Sequence, residues 1–146
     1  VPGSSAGISR EKPATKKETK KEKNMFERLV KISNSEFTEV VCLDEPGVGM
    51  ACHEYLVRKL NLDEKPSMPF VRISFQNGPI QETGVNGCQQ EDLLAIVIDR
   101  LRSFQSGPFD CRENDLALAK CEEALFWLNR RTADRQSRGV EGLSIN

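Results

Sequence analysis

The spacing of apolar residues changes period part-way along the chain, and the change divides it into two kinds of structure. From residue 36 to 83 the period is close to two. "EFTEVVCL" (36–43) is rich in β-branched and aromatic residues, "DEPGVG" (44–49) is turn chemistry, and "MACHEYLVRKL" (50–60) alternates with Ala51, His53, Tyr55 and Val57 on one face. "KPSMP" (65–69) interrupts, and "FVRISFQ" (70–76) alternates again with Val71, Ile73 and Phe75 together. Asn77-Gly78-Pro79 reads as a turn and "IQETGV" as a fourth short strand, while "MFERLVKI" (25–32) fits either a short helix or a first strand. These segments predict a small antiparallel sheet, which needs an apolar cover on one face.

Beyond residue 90 the period becomes helical. "EDLLAIVIDRLRSFQ" (91–105) places Leu94, Val97, Ile98, Leu101 and Phe104 on a broad apolar face, and Gly107-Pro108 stops it. Asp110 is a suitable N-cap for a second helix from Cys111 to Arg138, with Gly139 as its C′ residue and Leu118, Cys121, Leu125 and Leu128 facing inward. A loop this short makes the two helices antiparallel neighbours. The expected fold class is α+β: a small N-terminal antiparallel sheet packed on a C-terminal antiparallel two-helix hairpin. Residues 1–24 form a disordered basic tail, 25–83 the β-sheet region, 84–142 the hairpin and 143–146 a short tail.

The second helix is nearly twice as long as the first, so its last turns overhang the hairpin, and those turns carry Arg130, Arg131, Arg135 and Arg138. Residues 131, 135 and 138 share a face. Cations near a helix C-terminus complement the macrodipole by a few tenths to ~1 kcal/mol each, which accounts for one or two arginines and not for four. The expectation is that they lie beyond the hairpin core and pack on the sheet, on another protomer or on a ligand, and that an anionic ligand suits them. Phe70, Phe75, Phe126 and Trp127 are more apolar surface than one hairpin and one small sheet can cover, which predicts a homo-oligomer.

Charge sharpens this picture. The chain carries a formal net charge of −1. Residues 1–24 hold seven Lys/Arg and three Glu, about +4, which leaves the rest near −5. An acidic domain discourages long nucleic acid. No apolar run reaches bilayer-spanning length, no signal-peptide pattern is seen, and "VPGS" reads as a processed or appended start with Met25 as a natural initiator. The five cysteines, Cys42, Cys52, Cys88, Cys111 and Cys121, include no C-x-x-C, so the expectation is reduced, buried thiols in a cytoplasm, with neither a disulfide framework nor a metal site. His53, the single histidine, is not expected to pair with Cys52, because neighbours along a strand point to opposite faces. No catalytic set and no cofactor motif can be assembled. The residues suited to recognition are Asn86 and Arg112 with Asn114, each near a helix N-terminus, the overhanging Arg131 and Arg135, and the aromatic Phe104 and Tyr55.

The stretch "GVNGCQQEDLLAIVIDRLRSFQSGPFDCRENDLALAKCEEALFWLNRRTADRQSRGVEG" (84–142) closely resembles the helical hairpin of phage-encoded nucleotide sponges that neutralise CBASS and Thoeris antiphage defence. "GMACHEYLVRKL" and "VRISFQNGPI" are similar to the N-terminal sheet of the anti-Thoeris branch. The resemblance implies a non-enzymatic protein in the cytoplasm of the infected bacterium, built on dimers and able to form hexamers. It implies binding of a cyclic ADP-ribose isomer between sheet and hairpin, and of cyclic oligonucleotides at a second site where protomers meet. Carried onto matching positions, Phe104 stacks on the base, Asn114 hydrogen-bonds the ligand, Arg131 and Arg135 clamp the diphosphate, and Arg112 belongs to the second site. Asp110 and Asp115 beside Arg112 depart from the small apolar residues expected of relatives, and their charge opposes a cyclic triphosphate. Two other readings are an enzyme that hydrolyses the same signal and a nucleic-acid accessory protein that works through the Lys-rich tail.

Overall fold

The computed structural model describes residue 3 and residues 27–30, 36–60 and 68–145; the expected tail over 1–24 lies, apart from residue 3, outside the described residues. Four strands, β1 (Arg28–Val30), β2 (Thr38–Cys42), β3 (Glu54–Lys59) and β4 (Pro69–Ser74), form one antiparallel sheet in the order β1-β2-β3-β4. A helical turn α1 (Ile80–Thr83) follows, then the long helices α2 (Gln90–Gln105) and α3 (Arg112–Ser137). The fold class is α+β, as the change of period predicts. The described part of "MFERLVKI" is an edge strand, with Leu29 opposite Val41.

The pairing register puts Val40 opposite Val57, and Val57 opposite Val71, while Tyr55 lies between Cys42 and Ile73. Because side chains alternate along each strand, Val40, Tyr55, Val57 and Ile73 emerge on one face. The β2–β3 connection is closed by Asp44, whose carboxylate accepts the His53 N–H at 2.8 Å and the Glu54 N–H at 3.0 Å.

"IQETGV" is not a strand. Pro79 supplies a preset φ of −66° ahead of a single helical turn, Thr83 Oγ1 donates back to the Pro79 carbonyl at 3.0 Å, and Gly84 leaves the turn at φ +72°. Asp110 is not the cap of α3 either. Cys111 holds that position in extended geometry, and its Sγ accepts the Asn114 N–H at 3.4 Å. Helix α2 begins with a capping box in which Gln89 and Asp92 serve each other's backbone, and Gly139 follows α3 at φ +70°, as its place in the sequence predicts.

Half-buried Leu118, Cys121, Leu125, Leu128, Thr132 and Arg135 recur at alternating intervals of three and four along α3. The first four form its seam against α2, where Ile98 is buried. Arg102 and Glu122 bridge the two helices at 2.6 Å on the exposed side, a contact worth about 0–1 kcal/mol.

Among the described residues, main-chain hydrogen bonds join sheet and hairpin at one place. Phe75 and Cys88 form a parallel bridge, with Gln76 N–H donating to the Cys88 carbonyl and Cys88 N–H to the Ser74 carbonyl, both at 2.9 Å. Gly87 makes this possible: a Cβ there would lie 2.3 Å from the Phe75 carbonyl carbon. Elsewhere, among the described residues, the strands and long helices approach through side chains around a shared cavity.

Gly87→Ala should therefore force two backbones apart and cost at least about 1–3 kcal/mol, the usual price of backbone displacement by overpacking. Urea unfolding monitored by circular dichroism should show a lower midpoint, whereas Gly49→Ala, where a Cβ meets open space, should shift it far less.

Candidate functional site: a cavity between the sheet and the hairpin

A cavity of about 620 Å³ opens where the sheet face, the segment before α2 and the overhang of α3 converge. Its sheet wall includes Val40, Tyr55, Val57, Ile73 and Phe75; Gln89, Gln90 and Leu93 come from the start of α2, and Arg131 from α3. This is within the usual volume range of small-molecule sites, and its composition is of the usual kind: apolar and aromatic walls with a few polar groups. Tyr55 and Phe75 meet edge to face, centroids 5.7 Å apart, and burial pushes the Tyr55 phenol above its ordinary pKa. An aromatic wall facing a guanidinium provides both a surface for a flat ring and a charge for an anion.

The overhang of α3 thus reaches the cavity, but its arginines divide. Arg131 is exposed and lies on the cavity wall. Arg135 continues the inward spacing and turns onto the chain's own C-terminal segment. Its Nη2 donates to the carbonyls of Val140 (2.9 Å) and Leu143 (2.8 Å), its Nη1 to that of Ile145 (2.9 Å), and its Nε to the Glu141 carboxylate (3.2 Å). Both arginines lie beyond the hairpin core, but in this protomer Arg135 is engaged by residues 140–145 while Arg131 stays on the cavity wall. Gln81 of α1 completes the clasp, its Nε2 donating to the Glu141 carbonyl at 2.6 Å and its N–H to the Gly142 carbonyl at 3.2 Å. Arg138 pairs with Asp134 at 3.1 Å on the surface.

The remaining recognition residues are elsewhere. Phe104, Arg112 and Asn114 lie at the hairpin turn, with Phe104 roughly 17 Å along α2 from the cavity residue Leu93. The Arg100 guanidinium sits over the Phe104 ring at 4.9 Å from its centroid, and Arg112 is exposed. Asn86 braces the joint: its Nδ2 donates to the Asn77 carbonyl at 2.7 Å and its Oδ1 accepts the Asn77 N–H at 2.8 Å. Within this chain, then, the structure brings Arg131 together with Tyr55 and does not bring Phe104, Arg112, Asn114 or Asn86 to the same cavity. Phe75, Gln76, Gln89 and Gln90 complete the cavity; the signal for Phe75 was its alternation with Val71 and Ile73, which placed it on the sheet face.

All five cysteines are free, as expected, but they differ in burial. Cys42 and Cys52 are buried and Cys111 is exposed. Residues 51–53 precede β3 rather than extending it, and Cys52 and His53 both border the cavity, with Cys52 Sγ accepting from Arg28 and His53 Nδ1 turned to Asp44. His53 Nδ1 faces Asp44 Oδ2 at 3.5 Å. Burial pushes the Cys42 thiol up. Burial alone would raise Asp44, but hydrogen bonds from Glu54 and His53 hold its carboxyl below the ordinary value.

With this geometry in view, the relation to known proteins is specific. Residues 69–133 match the family described as Acb2/Tad1, hairpin domain. The likeness to that hairpin domain extends over a little less than half of the chain. This match begins at β4 and ends within α3, so the domain takes in the last strand and the joint as well as the hairpin. A curated relative, "Thoeris anti-defense 1" of Bacillus phage SBSphiJ7, is 59% identical over 70 residues. That alignment covers 48% of this chain and 49% of the relative, so the chain spans about half the length of the curated relative it matches. No helix among the described residues is long and apolar enough to cross a membrane.

The division between the two arginines is measurable. Arg135→Ala should lose about 1.5–3 kcal/mol, the range for hydrogen bonds to charged groups, and should speed amide exchange over residues 140–145. Arg131→Ala should stay within about 0.5 kcal/mol of the parent, as for exposed positions generally. Chemical denaturation with hydrogen-exchange mass spectrometry separates the two cases.

Proposed function

We propose that this protein binds and sequesters a cyclic nucleotide immune messenger, a cyclic ADP-ribose isomer, and so disarms Thoeris defence in the cytoplasm of an infected bacterium. The observation that carries the reading is the cavity itself, in which Arg131 faces an aromatic sheet wall of Tyr55 and Phe75 within a hairpin-domain protein. The relative's name, "Thoeris anti-defense 1", supports the same role. In this reading Arg131 forks onto the diphosphate and the aromatic wall takes the base. Arg135 keeps the C-terminal segment in place beside it, and reaches the ligand only by exchanging acceptors. The protein holds its ligand without turnover. The resemblance also supports binding of cyclic oligonucleotides near Arg112, Asn114 and Phe104 when protomers assemble at the hairpin turn.

Self-association belongs to this proposal. Phe126 and Trp127 stack edge to face at 5.4 Å yet remain 58% and 61% exposed, and Ile96 is 64% exposed. A second copy is the natural cover for such surface, and it would place a partner's residues beside sites that a single protomer leaves open.

Calorimetry with cyclic ADP-ribose isomers tests the assignment. Arg131→Ala should weaken binding about 30-fold to several-thousand-fold, corresponding to ~2–5 kcal/mol for one partner of a desolvated charge pair. Arg131→Lys should recover only part of this, lacking the planar fork. Equal affinity of the parent and a folded Arg131→Ala variant would remove the cavity as the site. Ligand released by heat should be intact; linearised ligand would identify an enzyme instead.

A further inference from the structure

Cys42 ends β2, Cys52 precedes β3, and Asp44 lies in the connection between them. The Sγ atoms of both cysteines and a carboxylate oxygen of Asp44 all fall within 4.8 Å of one another. We propose that these three side chains form a binding site for a soft divalent cation of the zinc class, which staples the β2–β3 connection to the cavity wall.

The donor set suits that cation. Thiolates and carboxylates are both ordinary zinc ligands, and small adjustments bring such a cluster to Zn–S of ~2.3 Å and Zn–O of ~2.0–2.2 Å. Without metal, the Cys42 thiol donates to the Asp44 carbonyl at 3.3 Å and to Asp44 Oδ1 at 3.6 Å. A cation takes the place of that proton. Charge also balances. Binding converts both thiols to thiolates with release of two protons, and with Asp44 these give three negative charges against two positive ones. The Arg28 guanidinium, whose Nη2 donates to Cys52 Sγ at 3.8 Å, supplies the remaining positive charge.

The surrounding hydrogen bonds are those a ligated carboxylate uses. Each Asp44 oxygen accepts one backbone N–H, from His53 and from Glu54, and keeps lone-pair capacity for a further partner. These bonds fix the carboxylate's orientation, as outer partners do in metal sites generally. His53 Nδ1 lies 3.5 Å from Asp44 Oδ2, the same oxygen that accepts the His53 N–H. The fourth coordination position falls to water, which the cavity bordered by Cys52 and His53 admits. Cys88, half-buried on the same cavity, and exposed Cys111 are outside the cluster, so the site is distinguishable from the other thiols.

Cobalt(II) and zinc(II), added to the reduced full chain, test the site. Cobalt should give near-ultraviolet thiolate charge-transfer absorption at one equivalent, and zinc should displace it and raise the thermal midpoint. Zinc should protect Cys42 and Cys52, and not Cys111, from iodoacetamide in peptide mapping of the unaltered protein, a readout that requires no variant to fold. Cys52→Ser should weaken zinc binding by more than about 100-fold and Arg28→Gln by about 10–100-fold, the effect of losing an outer partner, with Cys111→Ser unchanged. Absence of the charge-transfer band, equal alkylation of Cys42 and Cys111 with zinc present, or a band that survives in folded Cys52→Ser and disappears in Cys88→Ser would overturn the proposal.

Discussion

The close approach of Gly87 to the Phe75 backbone is the constraint from which the rest of the arrangement follows. A sheet and a hairpin with no extensive shared layer have their relative placement set by their joint, and this joint is made of main-chain hydrogen bonds between 74–76 and 88. Because the two backbones touch, Phe75 is delivered to the sheet side of the cavity while Gln89 and Gln90 start α2 on the other side. Asn86 and Gln76 reinforce the same few residues, Gln76 Oε1 accepting the Asn86 N–H at 3.0 Å. The cavity is thus the space left by a joint that cannot close further, which ties a local steric fact to the candidate site.

A second tie runs from α1 to the end of the described chain. Gln81 and Arg135 together hold 140–145, so the overhang of α3 is anchored rather than projecting into solvent. Long helices usually fray at their ends because the last carbonyls lack partners. Here the turn after α3 bonds back, with Val140 N–H donating to the Arg135 carbonyl at 3.0 Å, and the arginine side chain satisfies carbonyls further on. An arginine with five donors suits a segment that offers several carbonyls and no regular structure.

Much of the fold was readable from residue order, because it depends on local signals. Alternation over 70–76 gave β4, the three-four spacing from Leu94 to Leu101 gave α2, and Gly139 marked the end of α3. The misreadings arose where a distant contact or a competing local option decided the outcome. Ile80–Thr83 has acceptable strand residues, but Pro79 and the Thr83 hydroxyl favour one helical turn, and the C-terminal segment rewards it. Cys111 displaced Asp110 as a cap by a single residue, a distinction finer than composition provides. Arg135 was grouped with Arg131 by charge and by their spacing of four, although the spacing Leu118, Cys121, Leu125, Leu128, Thr132 already carried the inward stripe on to residue 135. The convergence of Cys42 with Cys52 is a property of the closed β2–β3 connection, and no short motif announces it. Phe104, Arg112 and Asn114 were chosen by residue type and place and given roles through a resemblance, and a single protomer sets them together at the hairpin turn, far from Arg131.

The separation of Arg131 from Arg135 bears on how such a protein can change. Two neighbouring arginines of the same chemistry carry different structural loads: one is embedded in the architecture, and the other faces outward beside a cavity with few structural obligations. Position 131 is therefore an evolvable dial. Its charge, length and planarity can be revised by single substitutions without first securing a compensating change elsewhere, whereas a lineage that alters 135 must also rebuild the end of the chain. Keeping a contact with few structural obligations and a structural contact on separate residues one helical turn apart lets the first change without disturbing the second.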